Sequence, residues 1–298
     1  MLAIVIGLPL AARVFFTLSD KTNGTIVTSG LTRRYLLYVP KTYDRSKPTS
    51  LVISLHPAAT WPAIQMDFSR WNELADEHGF IVVYPEGTGA FFGGVSPGPQ
   101  IWPMAPEFLG REVKFISDLI DKLTAKYNID PNRVYVDGMS IGGGMAFALS
   151  CKLFDKIAAV GAVSGAQLLS RDECSDAKPV PTVVFHGTAD KAAPYNDGKS
   201  PVAPRIFPNI PLWTARVAEK NQCQGESTST QVTPSVRRLA YTNCAANADV
   251  ILYTIEGGGH TWPDGKPLPE WLFGLTTHEI SATVILWDFY VQHPRPPK

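Results

Sequence analysis

Apolar residues along the chain predict strands and helices in alternation. Short apolar runs, typical of buried strands, occur at 25–29, 31–39, 50–55, 80–84, 134–137, 158–163, 183–186 and 250–255. Between them, Trp71, Leu74 and Ala75 recur at helical spacing, with Ser69 as the expected cap and Gly79 as the expected end. Similar spacing predicts helices at 113–123 and 280–290. This alternation predicts an α/β protein, with a mostly parallel sheet covered by helices on both faces.

Two segments interrupt the alternation. Residues 87–106 are rich in glycine and proline and contain Phe91, Phe92 and Trp102, whereas residues 223–244 are polar and begin and end with cysteine. We expect both to be loops over the carboxyl edge of the sheet, where proteins of this class bind their ligands.

The size and charge of the chain limit the kinds of protein it can be. Its 298 residues are 45% hydrophobic, and 27 basic side chains balance 27 acidic ones. This composition suits one catalytic domain over residues 23–298, expected to be a monomer. A neutral chain lacks the basic surface that nucleic acid or an anionic membrane requires, so neither is an expected partner.

The N-terminus and the cysteines both point to an oxidising compartment. Residues 1–16 are almost wholly apolar but too short to span a bilayer comfortably, so 1–22 is predicted to be a signal-like or anchor segment. A packed N-terminal helix is the alternative. The four cysteines fall in two local pairs, Cys151 with Cys174 and Cys223 with Cys244, and form no C-x-x-C motif. This pattern favours disulfides over a zinc site, and it favours pairing in sequential order. Other pairings, and unpaired buried thiols, stay open. We expect a secreted or periplasmic protein, with membrane anchoring through the N-terminus as an alternative.

The strongest chemical signal is Gly138-Met-Ser140-Ile-Gly142, between a predicted strand and a helix-like run. A serine between two glycines at such a turn is a nucleophile elbow, which lifts the hydroxyl clear of the sheet edge. A Cβ at either glycine would clash with the neighbouring strand or helix. Ser140 is therefore the candidate nucleophile.

An acid and a base follow Ser140 in the chain. Asp190 and His260 each come directly after a predicted strand, and the order serine, aspartate, histidine is that of the α/β-hydrolases. His260 would take the proton of Ser140 and return it to the leaving alcohol, while Asp190 would fix the imidazole tautomer. Asp197 is the reserve acid. His186 is the rival imidazole, although we expect it to shape the turn that carries Asp190.

Two backbone N–H groups should stabilise the oxyanion. One is expected from Ile141, which follows the nucleophile, and the other from the loop after the strand at 50–55. Pro57 has no N–H, so Ala58 is the expected donor and Ala59 the reserve. The remaining histidines have no metal-like spacing: His56, His78, His278 and His293. No metal and no cofactor are expected.

Several motifs together resemble one family: the secreted polyhydroxybutyrate depolymerase-like esterases and the related feruloyl and acetylxylan esterases of carbohydrate esterase family 1. The likeness runs from about residue 30 to residue 290. It implies an α/β-hydrolase fold, a triad of Ser140, Asp190 and His260, sequential disulfides and secretion. The motifs besides the elbow are Arg34-Tyr-Leu-Leu-Tyr-Val-Pro40, Gly79-Phe-Ile-Val-Val-Tyr-Pro-Glu-Gly87, Asp130-Pro-Asn-Arg-Val-Tyr135, His186-Gly-Thr-Ala-Asp190 with Pro194-Tyr195, Asn221-Gln-Cys223 and Glu256-Gly-Gly-Gly-His-Thr-Trp-Pro263.

The chain departs from the family pattern at three places. His56-Pro57 stands where the family usually has His-Gly, and Ser140-Ile-Gly-Gly143 stands for Ser-Asn-Gly-Gly. The paired aspartates before the mid-chain helix are replaced by Arg111-Glu112. The first two departures lie beside the nucleophile, and we expect them to alter substrate choice more than mechanism.

The predicted function is hydrolysis of carboxylic esters by a serine esterase through an acyl-enzyme. The substrate would be a polyester, or a plant cell-wall ester as for a feruloyl esterase. Substrate contacts are expected from four aromatic side chains: Trp262, Trp102, His56 and Tyr195. A tryptophan that only packs its loop is the alternative for Trp262. Alternative functions are an acetylxylan esterase, a catalytically silent binding protein of the same fold and, less favoured, a serine peptidase.

Overall fold

The structure, a computed structural model, describes residues 19–90, 100–166, 174, 176–201 and 206–296. Its strands are β1 (Gly24–Thr28), β2 (Leu31–Tyr38), β3 (Thr49–Leu55), β4 (Ile81–Pro85), β5 (Gly89–Ala90), β6 (Gln100–Ile101), β7 (Ile129–Met139), β8 (Ala159–Val163), β9 (Thr182–Gly187), β10 (Gly198–Lys199), β11 (Ile206–Phe207), β12 (Thr228–Thr233), β13 (Val236–Tyr241) and β14 (Val250–Ile255). Its α-helices are α1 (Pro62–Ser69), α2 (Trp71–His78), α3 (Pro106–Lys126), α4 (Ile141–Lys152), α5 (Ile210–Lys220), α6 (Glu270–Phe273) and α7 (Ala282–Gln292).

One large, mostly parallel sheet organises the fold, as the alternation of strands and helices predicted. It has ten strands in the order β1-β2-β4-β3-β7-β8-β9-β14-β13-β12. The central strands from β4 to β14 run parallel, and the strands outside them are antiparallel. Because β7, β8, β9 and β14 are parallel neighbours, the loops that follow them meet at one edge of the sheet.

Apolar side chains cover both faces of this sheet, which explains why the central strands read as continuous hydrophobic runs. Helices α3, α4 and α5 pack on one face and contribute Phe115, Leu119, Met145, Phe147 and Trp213 to the core. Helices α1, α2 and α7 pack on the other face and contribute Trp71, Leu74, Leu286, Trp287 and Tyr290. Between these two layers the side chains of β3 from Ser50 to Leu55 are buried.

The predicted helix near residue 75 begins one residue later than expected. Its N-cap is Arg70, because Ser69 is the last residue of α1, a helix that the sequence analysis missed. Its end is as predicted, since Gly79 adopts a φ of 76° as C-cap. The closing helix also begins later than predicted, and the Ser281 side chain caps it by accepting the N–H of Val284.

The expectation of a loop over residues 223–244 is wrong. This segment contains β12 and β13, an antiparallel hairpin that adds two strands to the edge of the sheet beside β14. Nearly every side chain of β12 is solvent-exposed, so the strand lacks the apolar face that marks a buried strand. Residues 91–99, within the other segment expected to be a loop, lie outside the described residues.

The structure pairs the cysteines sequentially, as the sequence favoured. Cys151 of α4 is bonded to Cys174, and Cys223 is bonded to Cys244. The second bond joins the chain just after α5 to the chain just after β13. In the described ranges, no helix combines the length and the apolar character needed to cross a membrane.

Candidate active site

Ser140 lies in a sharp turn between β7 and α4. Its φ of 57° and ψ of −123° are rare for a residue with a side chain, and its N–H donates to the Val163 carbonyl at 2.8 Å. Close packing explains both flanking glycines. A Cβ at Gly138 would lie 2.8 Å from the Leu55 carbonyl oxygen, and a Cβ at Gly142 would lie 2.8 Å from the His56 carbonyl oxygen. The glycines thus let the turn approach the end of β3.

Asp190 and His260 form a buried carboxylate–imidazole pair. The Nδ1 of His260 lies 2.8 Å from Oδ2 of Asp190. The other carboxylate oxygen accepts the N–H groups of Ala192 at 2.9 Å and Ala193 at 2.8 Å. Burial disfavours the charged carboxylate, but the adjacent His260, the nearby His186 and the N–H of Ala193 outweigh it, so the pKa of Asp190 lies below its ordinary value. A charged, fully bonded carboxylate holds the proton of a neutral imidazole on Nδ1 and leaves Nε2 free to accept a proton.

Hydrogen bonds to the backbone hold the loop that carries His260 in place from two sides. The His260 N–H donates to the Phe273 carbonyl at 2.6 Å, and the N–H of Gly259 donates to the Leu275 carbonyl at 2.9 Å. On the other side, the hydroxyl of Ser164, at the end of β8, donates to the Thr261 carbonyl at 3.4 Å. The histidine loop is therefore anchored to the strand that neighbours the nucleophile.

Sheet topology brings Ser140, Asp190 and His260 to one edge, because they follow β7, β9 and β14. The side chain of Ser140 is half-buried at that edge. Among the described residues its hydroxyl has no hydrogen-bonding partner. Asp197, the reserve acid, is exposed. His186 is fully buried, its Nε2 donates to the Ala193 carbonyl at 2.7 Å, and burial lowers its pKa.

The structure narrows the choice of oxyanion donor. The N–H of Ala59 donates to the Gln100 carbonyl at 2.9 Å, so this group is already used. Pro57 has none, which leaves Ala58, a half-buried residue. Ile141 is the first residue of α4, and the N–H groups of a first helical turn have no partner within the helix.

The four side chains expected to contact substrate are all buried. His56 and Trp102 have no exposed surface, and Trp262 and Tyr195 are 2% and 9% exposed. The indole N–H of Trp102 donates to the carbonyl of His56 at 3.0 Å, and that of Trp262 donates to the Thr283 hydroxyl at 3.0 Å. Contrary to expectation, Trp262 packs in the core against α7, which is the alternative given for it above. Loop position was readable from the sequence, but the direction of each side chain was not.

An apolar surface next to His260 escaped the sequence analysis. Trp271, on α6, is 82% exposed, and Leu272 and Leu275 are about half exposed. Residues 267–275 contain one charged residue, Glu270. The Phe273 carbonyl of this segment accepts the His260 N–H, so the segment borders the site directly. Its signal was available in the sequence: a run of prolines and large apolar residues that follows neither strand nor helix periodicity.

Comparison with known proteins agrees with this fold. Residues 33–240 match the family described as Esterase PHB depolymerase. The chain belongs to this family. It is 31% identical over 241 residues to feruloyl esterase B of Piromyces equi, an alignment that covers 78% of this chain and 44% of that protein. It is 28% identical over 288 residues to the putative esterase NocK of Nocardia uniformis subsp. tsuyamanensis, covering 90% of this chain and 82% of that protein.

Solved structures place this member of the esterase PHB depolymerase family in the α/β-hydrolase fold. The acetyl xylan esterase from Aspergillus awamori superposes with a TM-score of 0.57 at 17% identity, over 77% of this chain and 89% of that one. The CE1 ferulic acid esterase from Anaeromyces mucronatus superposes with a TM-score of 0.51 at 17% identity, over 81% and 85% of the two chains. At such identities the likeness shows the fold and not the substrate.

The described part of this family member contains no cluster of three or more histidine, cysteine or acidic side chains that could hold a metal ion. The polar groups at the site are instead a hydroxyl, an imidazole, a carboxylate and backbone N–H groups, which together suit acyl transfer.

Proposed function

We propose that this protein is a serine carboxylic-ester hydrolase that forms an acyl-enzyme on Ser140. The observation that carries the proposal is the buried Asp190–His260 pair, 2.8 Å apart, at the sheet edge where Ser140 lies in a nucleophile elbow. Membership of an esterase family, and relatives named feruloyl esterase and putative esterase, support it.

In the proposed mechanism, Nε2 of His260 accepts the proton of the Ser140 hydroxyl as the oxygen attacks the ester carbonyl. Asp190 holds the imidazole by its Nδ1–H and stabilises the imidazolium that forms. The N–H groups of Ile141 and Ala58 donate to the developing oxyanion. His260 then protonates the leaving alcohol, and water, deprotonated by the same histidine, releases the acid from Ser140.

We further propose that the exposed apolar segment 267–275 contacts the part of the substrate outside the reacting ester. Trp271 offers a large exposed ring beside the histidine loop, and an exposed apolar patch of this kind marks a binding surface. This surface favours a polyester or an ester with an aromatic acyl group over a small acetyl ester. The disulfides support a secreted or periplasmic location.

The decisive experiment compares Ser140→Ala with wild type on p-nitrophenyl acetate, p-nitrophenyl butyrate, methyl ferulate, polyhydroxybutyrate film and a peptide amide. Loss of the nucleophile should lower kcat by about 10⁴-fold or more, with no change in Tm. Ser150→Ala is a matched control, because this hydroxyl of α4 donates to the Phe147 carbonyl and has no other hydrogen bond among the residues that the structure describes. Esterase turnover by folded Ser140→Ala protein would refute the mechanism. A wild-type protein that hydrolyses none of these esters would instead indicate a catalytically silent binding protein.

A further inference from the structure

The loop 56–60, which carries the proposed donor Ala58, has one carbonyl held by two side chains. The Pro57 carbonyl oxygen lies 2.8 Å from Nδ1 of His56, and it accepts the Thr60 hydroxyl at 2.8 Å. Pro57 C=O and Ala58 N–H belong to the same planar trans peptide, so they point in opposite directions. Whatever fixes the carbonyl of Pro57 therefore also fixes the direction of the Ala58 N–H.

A bond to Gly87 sets the tautomer of His56. The Gly87 N–H donates to Nε2 of His56 at 3.0 Å, so Nε2 is unprotonated and Nδ1 carries the proton that reaches the Pro57 carbonyl. Full burial is consistent with a neutral ring, because it lowers the pKa of His56 to about 4. The imidazole thus connects Gly87 to the peptide that carries the proposed oxyanion donor.

A buried ion pair holds the segment that contains Gly87. Arg33 bonds Glu112 at 2.8 Å and donates from the same nitrogen to the Glu86 carbonyl at 2.9 Å. The Thr88 hydroxyl also donates to Glu112. Both charged side chains are almost fully buried. A buried ion pair adds little net stability compared with apolar packing, so stability alone gives a weak reason for this one.

We propose that His56 is a positioning residue, which aims the Ala58 N–H at the oxyanion, and that the Arg33–Glu112 pair acts through it by holding the Gly87 N–H against Nε2. The inference rests on the proposed esterase function. It assigns Glu112, one of the departures from the family pattern, to the geometry of the oxyanion hole. Gly142 lies against the His56 carbonyl, so the loop and the Ile141 end of α4 already face each other.

Two substitutions of His56 separate the two bonds of its ring. In His56→Asn the side-chain amide nitrogen replaces Nδ1 and can still donate to Pro57, whereas in His56→Gln the amide oxygen replaces Nε2 and only the Gly87 bond survives. We expect kcat within about threefold of wild type for the first and about 10- to 100-fold lower for the second, since a fully lost oxyanion donor costs 10²–10³ in kcat. KM should change little in both, because the oxyanion exists only in the transition state.

A second arm tests the ion pair. Glu112→Gln should lower kcat several-fold in wild type but have almost no further effect in the His56→Asn background, where no tautomer needs fixing. His293→Gln is the matched control: this buried histidine also has its Nδ1 against a carbonyl, that of Phe289 at 2.7 Å, but lies at the end of α7. It should leave kcat unchanged.

Two measurements distinguish positioning from damage to the fold. Rates are normalised to the fraction of Ser140 that reacts with a fluorescent phosphonate, and Tm is recorded for each variant. The inhibition constant of an arylboronic acid, which forms a tetrahedral adduct, should rise in step with the loss of kcat/KM, whereas that of a product carboxylic acid should not. Equal kcat values for His56→Asn and His56→Gln, or losses that appear in KM, would overturn the proposal while leaving the esterase function standing. Absence of any ester turnover by wild type would refute both.

Discussion

The acid three residues before Ser140 gives a stability prediction that can be worked out from the structure. Asp137 lies within the buried part of β7, residues 134–139, and is fully buried. It accepts the Ser54 hydroxyl at 2.5 Å, and Ser54 in turn accepts the Gln65 amide at 2.9 Å. Burial raises the pKa of Asp137 to about 7, in spite of the hydroxyl donor. The folded protein therefore keeps this carboxyl protonated at pH values where the unfolded chain has lost the proton.

The sign and size of the effect follow from proton linkage. Between about pH 4 and pH 7 the folded state binds one more proton than the unfolded state at Asp137, so the free energy of unfolding falls as pH rises. The contribution is fully present below the ordinary pKa of 3.8 and is lost by about pH 7. A difference of about three pH units at about 1.4 kcal/mol each gives a loss of about 4 kcal/mol at most. Asp137→Asn removes this dependence and retains the shape of the side chain.

The assay is urea unfolding of wild type and Asp137→Asn at intervals from about pH 4 to pH 8. As pH rises across that range, the free energy of unfolding of the variant should increase relative to that of wild type by up to about 4 kcal/mol, with most of the increase complete by about pH 7. The new amide N–H adds a constant offset of about 1–3 kcal/mol if it finds no partner, so the slope is the readout. Asp155→Asn, which removes an exposed carboxylate, is the control. A difference between wild type and Asp137→Asn that does not vary with pH would refute the reasoning.

Two further predictions concern the tryptophans and the disulfides. Trp271→Ala should lower kcat/KM for methyl ferulate and film hydrolysis several-fold, with Tm and acetate hydrolysis unchanged, because its ring is exposed beside the site. Trp262→Phe should instead lower the free energy of unfolding by about 1 kcal/mol through the lost bond to Thr283, with kcat/KM unchanged. The opposite pattern in the two variants would contradict the placement of both tryptophans. Replacing Cys223 and Cys244 together by alanine should lower the free energy of unfolding by about 3 kcal/mol, measured by urea denaturation; an unchanged value would show that this bond does not stabilise the folded state.

The sequence was most informative where chemistry and backbone geometry demand particular residues. The glycines around Ser140 were predicted to avoid clashes, and the structure places the Leu55 carbonyl 2.8 Å from a Cβ at Gly138. The strands that precede Ser140, Asp190 and His260 could be predicted, because each contains a short apolar run. The β12–β13 hairpin could not, since one of its strands is exposed on both sides and resembles a polar loop. An edge strand is defined by its backbone pairing, which leaves little trace in composition.

The proline at position 57 shows how the same limit affects the site. From the sequence alone, Pro57 only removes an N–H, and Ala58 follows as the next donor. In the structure, the carbonyl of Pro57 is the atom that the loop holds, and His56 holds it. The group that holds His56 is the N–H of Gly87, 31 residues further along the chain. The segment of Gly87 is held in turn by the ion pair of Arg33 and Glu112, which are 79 residues apart. No local pattern links such positions, so this network could only be found once the sheet had brought the ends of β3 and β4 together.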